Sequence, residues 1–387
     1  MKKYNEGQTS FFAPAVGEIV SASDVVFYNP RMEFSRDVSM CLAQTYQRIT
    51  GKQMDLCEPL TSCGVRVVRW ACEVQGVRSI LAGDINPKAV FLANVNANLN
   101  QVLDRAEILR TDANLLLGNC LSYGRRFDVI DIDPFGSPVH FIDYALRALK
   151  REGGLLCLTA TDMQPLCGIH PDAALRKYGG ASLRTEYCHE IAIRLLVGAV
   201  VHIASEHDIG VRVAFSHSSD HYVRAYLLTK RNSVESDKSA KSMGFILHCF
   251  RCGNRKVVSK SAILVEESKC ELCGSSMRLA GPLWCGELWD DRFVHTAKEV
   301  AEEAEHRPSR RLLKMLSLIS LECGGPPTYY DLHSISDSEG ISSPSTSRII
   351  EGLRSNGFNA SPTHFRGTCV RTNANIDVIR ELIRRLV

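Results

Sequence analysis

Short apolar runs alternate with stretches in which apolar residues recur every three to four positions, the pattern of strands alternating with amphipathic helices. Residues 54–60, 79–84, 106–111, 129–132 and 155–160 read as strands, and their apolar character on both sides suits a buried parallel sheet. Between them, helical spacing predicts a helix capped by Ser35 with Leu42, Tyr46 and Ile49 inward. A second follows Gly64 with Val67, Trp70, Ala71 and Val74 on one face. A third opens at Asn86-Pro87 and carries Ala89, Leu92, Val95 and Leu99, and a fourth spans 139–150 with Phe141, Tyr144, Ala145 and Leu149 inward. Residues 161–182 read as a long loop and 186–200 as a helix. Strands near 211–217 and 222–229, joined by Ser218-Ser219-Asp220-His221, form an antiparallel hairpin. The first twenty-odd residues are weakly patterned.

Seven strands, five alternating with helices and then a terminal hairpin, is the order of the α/β, Rossmann-like methyltransferase fold. A doubly wound dehydrogenase sheet would continue with parallel strands. The polar stretch 231–242 reads as a linker. Beyond it, 295–305 predicts a helix with a solvated acidic face (Glu299, Glu302, Glu303, Glu305), and Arg307-Pro308-Ser309-Arg310-Arg311 a basic helix start. A helix over 345–356 and a hairpin over 359–371 complete a winged-helix-like pattern. The expected division is a Rossmann-like domain over 1–232, a zinc-ribbon-like region over 243–306 and a winged-helix-like, smaller α+β region over 307–387.

With 387 residues the chain can fill two or three cores. Its net charge of +3 and pI near 8.1 are only mildly basic, so any nucleic-acid surface must be a local patch. Arg348, Arg354, Arg366 and Arg371 are candidates for phosphate contact, or simply a solvated face. No run of 18 apolar residues exists, and the polar start is not followed by an apolar signal core. Most of the fifteen cysteines stand singly in apolar segments, which points to a reducing, cytoplasmic setting. Four do not. Cys249 and Cys252, then Cys270 and Cys273, form two CxxC pairs seventeen residues apart, the spacing of a closed, structural four-cysteine Zn2+ site.

The chemistry gathers where predicted strands end. Proline must stop the 129–132 strand, so Asp133-Pro134-Phe135-Gly136-Ser137-Pro138 places a carboxylate, a rigid kink and an aromatic ring at its C-terminal edge, where open α/β sheets bind ligands. Asp84 falls 20 residues after Gly64, the strand–loop–helix–strand spacing that brings a carboxylate to ribose hydroxyls. The loop has one glycine rather than G-x-G-x-x-G, which suits a nucleoside without phosphates, such as S-adenosylmethionine, better than a dinucleotide. Asp112 either accepts from an adenine amino group beside Ala113 or caps the next helix. Arg36, a cation in a helix's first turn, is disfavoured by the dipole unless it meets an anion. An Asp-Pro-aromatic turn suits methylation of an exocyclic base nitrogen. The carboxylate accepts the amine's N–H bonds, and the ring stacks on an extruded base.

These residues, together with Phe27-Tyr28-Asn29-Pro30, Arg36-Asp37, Ser62-Cys63-Gly64-Val65-Arg66 and Gly83-Asp84-Ile85-Asn86-Pro87, resemble the tRNA guanine-26 N2-dimethyltransferases of archaea and eukaryotes, over nearly the whole chain. The resemblance implies S-adenosylmethionine as methyl donor and tRNA as partner. It implies Arg36, Arg66, Asp84, Asp112 and Ala113 as donor-binding, Asp133 as catalytic, and Phe27 and Phe135 as flanking the guanine. The chain departs from the family pattern at Ser35, where relatives often carry Asn, and at Thr61 and Cys63, where small residues are favoured. Two other readings stay open. One is methylation of adenine N6, which the same turn would serve. The other is a catalytically idle zinc/winged-helix RNA-binding protein, against which the retained charged donor-site residues argue.

Overall fold

The computed structural model describes residues 1–15, 26–259, 269–304 and 309–387. Glu305, Arg307, Pro308 and the 306/307 boundary lie outside the described residues. The weakly patterned N-terminus is an antiparallel hairpin, β1 (Lys2–Glu6) and β2 (Thr9–Ala13), whose Phe11 and Ala13 pack with Cys63, Ala89 and Leu92. Next comes α1 (Glu33–Thr50). It does not begin at Ser35: Asn29 caps a 3-10 turn, Pro30–Met32, that runs straight into the helix and leaves Ser35 buried within its first turn.

The central unit then alternates β3 (Met54–Glu58), α2 (Val65–Glu73), β4 (Val77–Asp84), α3 (Pro87–Leu99), β5 (Ala106–Arg110), α4 (Ala113–Ser122), β6 (Val129–Ile132), α5 (Val139–Ala148) and β7 (Gly154–Ala160). The expected loop over 161–182 instead holds α6 (Met163–Leu166) and α7 (Pro171–Tyr178). The long α8 (Cys188–Ser205) and the hairpin β8 (Ile209–Ser219) and β9 (Tyr222–Arg231) follow. The sheet order is β5-β4-β3-β6-β7-β9-β8, with β3 to β7 parallel and the last two antiparallel. Helices α1, α2 and α3 pack in series, as do α4, α5 and α8; right-handed crossovers put the two sets on opposite faces. By length and composition α8 could cross a membrane, but it is a core helix, covered by β8 and a later strand, β12 (Arg278–Trp284).

Two helix faces differ from expectation. On α3 the buried side is Ala89, Leu92, Ala93, Asn96 and Ala97, leaving Leu99 exposed. Small residues are needed there because α3 lies against the loop after β3: a Cβ on Gly64, at φ +75, would sit 2.8 Å from that of Ala93. On α5 the inward residues are Ile142, Ala145, Leu146 and Ala148, while Tyr144 is exposed.

The polar stretch read as a linker is α9 (Ser233–Lys241), capped by Asn232 and tied down by Ser239, whose hydroxyl bonds the backbone of Val211. A three-stranded sheet, β11-β10-β12, follows, in which β10 spans Met243–His248 and β11 spans Arg255–Ser259. Then come α10 (Asp291–Glu303) and α11 (Arg310–Glu322), and their apolar faces join the same continuous core as the central sheet. The last elements are β13 (Tyr330–Asp331), α12 (Leu332–Glu339), α13 (Thr346–Ser355), β14 (Ala360–Pro362), β15 (Cys369–Thr372) and α14 (Ile376–Leu386). They enclose a separate core around Leu332, Ile349, Leu353, Val370 and Ile379. Arg371 faces inward, fully buried and bonded to Glu190 and Glu322, so it is unavailable to phosphate. Arg348 and Arg354 are exposed, and Arg366 is exposed while paired with Asp331.

Candidate active site

The chain leaves β3 outward to β4 and β5 and returns to β6 on the other side. This switch point opens a crevice at the strands' C-terminal ends. Asp112, Asp84, the 61–64 loop and Asp133 follow one another along that edge, one from each of β5, β4, β3 and β6. Asp84 is set by its loop: Oδ2 accepts the Ser62 N–H at 2.9 Å and Oδ1 that of Asn86 at 2.8 Å. Asp112 is an N-cap, its Oδ1 accepting from Asn114 and Leu115. Its side chain is exposed, and Ala113 begins α4 directly behind it.

Arg36 does meet an anion, Glu6 of the N-terminal hairpin. Its Nε donates to Oε2 at 2.7 Å, the Tyr28 hydroxyl donates to Oε1 at 2.8 Å, and the guanidinium lies over the Tyr28 ring. Arg66 is also buried. It bonds Glu58 Oε1 at 2.9 Å, the Ser39 hydroxyl at 2.6 Å and the Asp133 carboxylate, with Asp131 Oδ2 at 3.4 Å. Burial pushes Glu58 up to about 8 despite Arg66 beside it.

Asp133 keeps 21% of its side chain exposed. Burial would raise its pKa, but Arg66 and then Arg224 outweigh that and hold the carboxyl below its ordinary value. The turn after it is fixed by Gly136, at φ +80, whose N–H donates to the Thr161 hydroxyl at 2.7 Å. Phe135 therefore stands 75% exposed. Phe27 meets it edge to face, ring centres 4.5 Å apart at 80°, and is anchored by its carbonyl, which accepts from the Ser62 hydroxyl. The rings touch, so a base flanked by both requires one to swing aside. Glu6, Glu58, Asp131 and Arg224 were not read from the sequence. Two signals were available: Asp131, a charge inside an apolar strand, and Arg36, a cation at a helix start that called for an anion.

Away from this edge, Cys249, Cys252, Cys270 and Cys273 bring their sulfurs within 4.8 Å of one another. The Cys249–Cys273 and Cys252–Cys270 pairs stand at 3.4 and 3.5 Å. Sulfurs about 2.3 Å from a tetrahedral zinc stand about 3.8 Å apart, so the set fits the ion. Each pair sits on a tight turn closed by a glycine N–H: Gly253 donates to Cys249 O, and Gly274 to Cys270 O.

The strand order and the carboxylates along its edge define the class: an S-adenosylmethionine-dependent methyltransferase. The family model for N2,N2-dimethylguanosine tRNA methyltransferase matches residues 7–384. The tRNA (guanine(26)-N(2))-dimethyltransferase of Methanothermobacter thermautotrophicus is 40% identical over 99% of this chain and 98% of its own. The tRNA (guanine(26)-N(2)/guanine(27)-N(2))-dimethyltransferase of Aquifex aeolicus is 34% identical over 100% and 96%. Among solved structures, Trm1 from Pyrococcus horikoshii with S-adenosyl-L-methionine superposes with a TM-score of 0.85 at 31% identity, covering 99% of this chain and 100% of that one. This chain belongs to the N2,N2-dimethylguanosine tRNA methyltransferase family.

Proposed function

We propose that the chain transfers methyl groups from S-adenosylmethionine to the exocyclic N2 of guanine 26 in tRNA, with Asp133 as the catalytic carboxylate. The observation that carries this reading is an ionised Asp133, partly open to solvent, beside an exposed aromatic pair at the donor edge of the sheet. The donor supplies an electrophilic methyl group. Asp84 retains lone pairs for ribose hydroxyls after accepting its two backbone bonds. Asp112 and Ala113 take the adenine edge, and Arg36 and Arg66 are the donor-side cations. Phe135 and Phe27 stack the extruded base. A guanine NH2 is a poor nucleophile because its lone pair is delocalised into the ring. Asp133, accepting its N–H bonds, orients the amine and helps localise that pair. The amine becomes strongly acidic once methylated, so a weakly basic carboxylate suffices to receive its proton. Holding nitrogen and methyl carbon in line is worth about 7–11 kcal/mol.

The four cysteines are read as a structural Zn2+ site. The helix–strand–helix–helix–strand–strand order of residues 310–372 supports a winged-helix-like tRNA contact, and the chain is read as divided in sequence at 1–232, 243–306 and 307–387, with residues 310–322 contributing to the core of the central sheet. The free, mostly buried cysteines fit a reducing, cytoplasmic setting. Incubation with labelled donor and unmodified tRNA, followed by digestion to nucleosides, tests the reading. N2-methyl- and N2,N2-dimethylguanosine are expected, and neither from a tRNA in which guanine 26 is replaced. N6-methyladenosine, or tRNA binding without transfer, would overturn it.

A further inference from the structure

Beneath Asp133 three neighbouring strands each contribute one buried group: Asp131 from β6, Thr159 from β7 and Arg224 from β9. Thr159 and Arg224 are cross-strand partners. Arg224 is wholly inaccessible; its Nη2 donates to Asp131 Oδ2 at 2.7 Å and its Nη1 to the Thr159 hydroxyl at 2.7 Å. The same Nη1 lies 3.6 Å from Asp133 Oδ2. Arg66 spans the same two acids from the other side. Two guanidinia and two carboxylates thus alternate under the reactive turn.

Stability does not account for this arrangement. A buried ion pair is commonly no better than apolar residues of the same size. This one also leaves Asp131 Oδ1 and Arg224 Nε without hydrogen-bond partners, each a cost of its own. Asp131 moreover stands in a strand otherwise made of Val129, Ile130 and Ile132, where an apolar side chain would pack.

We propose that Arg224 is a positioning residue for Asp133: anchored by Asp131 and Thr159, it holds the reactive carboxylate charged and turned toward the crevice. The inference rests on Asp133 being the acceptor of the amine. With Arg66 and Arg224 engaging Oδ2, the partly exposed carboxylate is left with lone pairs for the substrate amine. Without Arg224, Asp133 would keep one guanidinium instead of two and bind its proton more readily.

The test uses the full chain in two forms, the charge-cancelling pair Asp131→Asn/Arg224→Gln and the isosteric Thr159→Val, with Asp133→Ala alongside. Folding is followed by circular dichroism, donor binding by calorimetry, and transfer by single turnover at saturating donor and tRNA across pH. The double variant is expected to bind donor within about threefold of the parent and to transfer at least tenfold more slowly. Its acid limb, which in the parent lies below about pH 5, should move up. Thr159→Val also removes the hydroxyl's own bond to Asp133 and so serves as a reference for that loss. If the double variant does not fold, Arg224→Lys, which keeps a cation but not the fork to Asp131 and Thr159, should slow transfer at unchanged donor affinity, and a parent-like rate overturns the proposal. A folded variant whose pH profile superimposes on the parent overturns the proposal. So does a slower variant with an unmoved limb and weakened donor binding, which would make Arg224 a donor-site residue. Asp133→Ala with undiminished transfer would overturn the underlying reading instead, so the two failures are distinguishable.

Discussion

Asp133, the proposed catalytic carboxylate, lies in surroundings that predict its pH behaviour. Two cations lower its pKa against the opposing effect of burial, so the ionised form persists below the ordinary carboxylate range near pH 4. On the proposed mechanism transfer needs that form and is lost as pH falls through the lowered value. Single-turnover rates from about pH 5 upward should therefore show no acid limb from this group. Asp133→Ala should cost about 10²–10⁴-fold in transfer while donor affinity, measured by calorimetry, stays near normal. Asp133 and Phe135 were legible in the sequence because a strand, a proline and an aromatic ring are adjacent in the chain. Arg224 was not, because its partner Asp131 is 93 residues away and nothing local marks it. Glu6 was hidden in the same way, although Arg36 at a helix start announced that some anion was near.

At the scale of elements, the seven strands of the central sheet and the helices α1 and α8 were readable from periodicity, whereas the N-terminal hairpin, the β11-β10-β12 sheet and α14 were not read. Nor were elements whose stability is supplied from outside. Helix α9 is polar and short of apolar residues, and it persists because Ser236 and Ser239 are buried and Ser239 bonds the β8 backbone. Helix α6 is too short to show a period, and α7 begins at a proline that reads as a breaker. The four-cysteine turns belong with these, since so small a unit has little apolar core beyond the sulfurs and Met277. Its order should come from the metal. Zinc analysis is expected to give one ion per chain, lost on Cys249→Ser. Hydrogen exchange should then rise over 249–254 and 269–274, with the strands β3 to β7 staying protected.

At the scale of the whole molecule, a buried junction ties α8 to the C-terminal segment. Glu190, in the first turn of α8, accepts from Arg371 at 2.8 Å, Arg194 at 2.8 Å and the Thr328 N–H at 2.7 Å; Arg371 also bonds Glu322 at 3.0 Å. Burial opposes the charge on Glu190, but Arg371 and Arg194 prevail and bring it down to about 2. This group's contribution to stability is therefore fully present above its unfolded value near 4.5 and is lost as pH falls toward 2. Arg371→Ala removes the cation shared by two buried carboxylates, leaving Glu190 with Arg194 and Glu322 with His364 and Thr363, and should cost about 3–5 kcal/mol, read as a lower urea midpoint. The junction has a further consequence for recognition. A tie this thoroughly desolvated leaves the protein little freedom to flex between its catalytic edge and its C-terminal helices. The span between the two is set at folding, like the jaws of a locked caliper. Where the C-terminal helices make the proposed tRNA contact, any mismatch with a substrate falls to the RNA, and the enzyme then selects among tRNAs by how readily each bends to a fixed gauge.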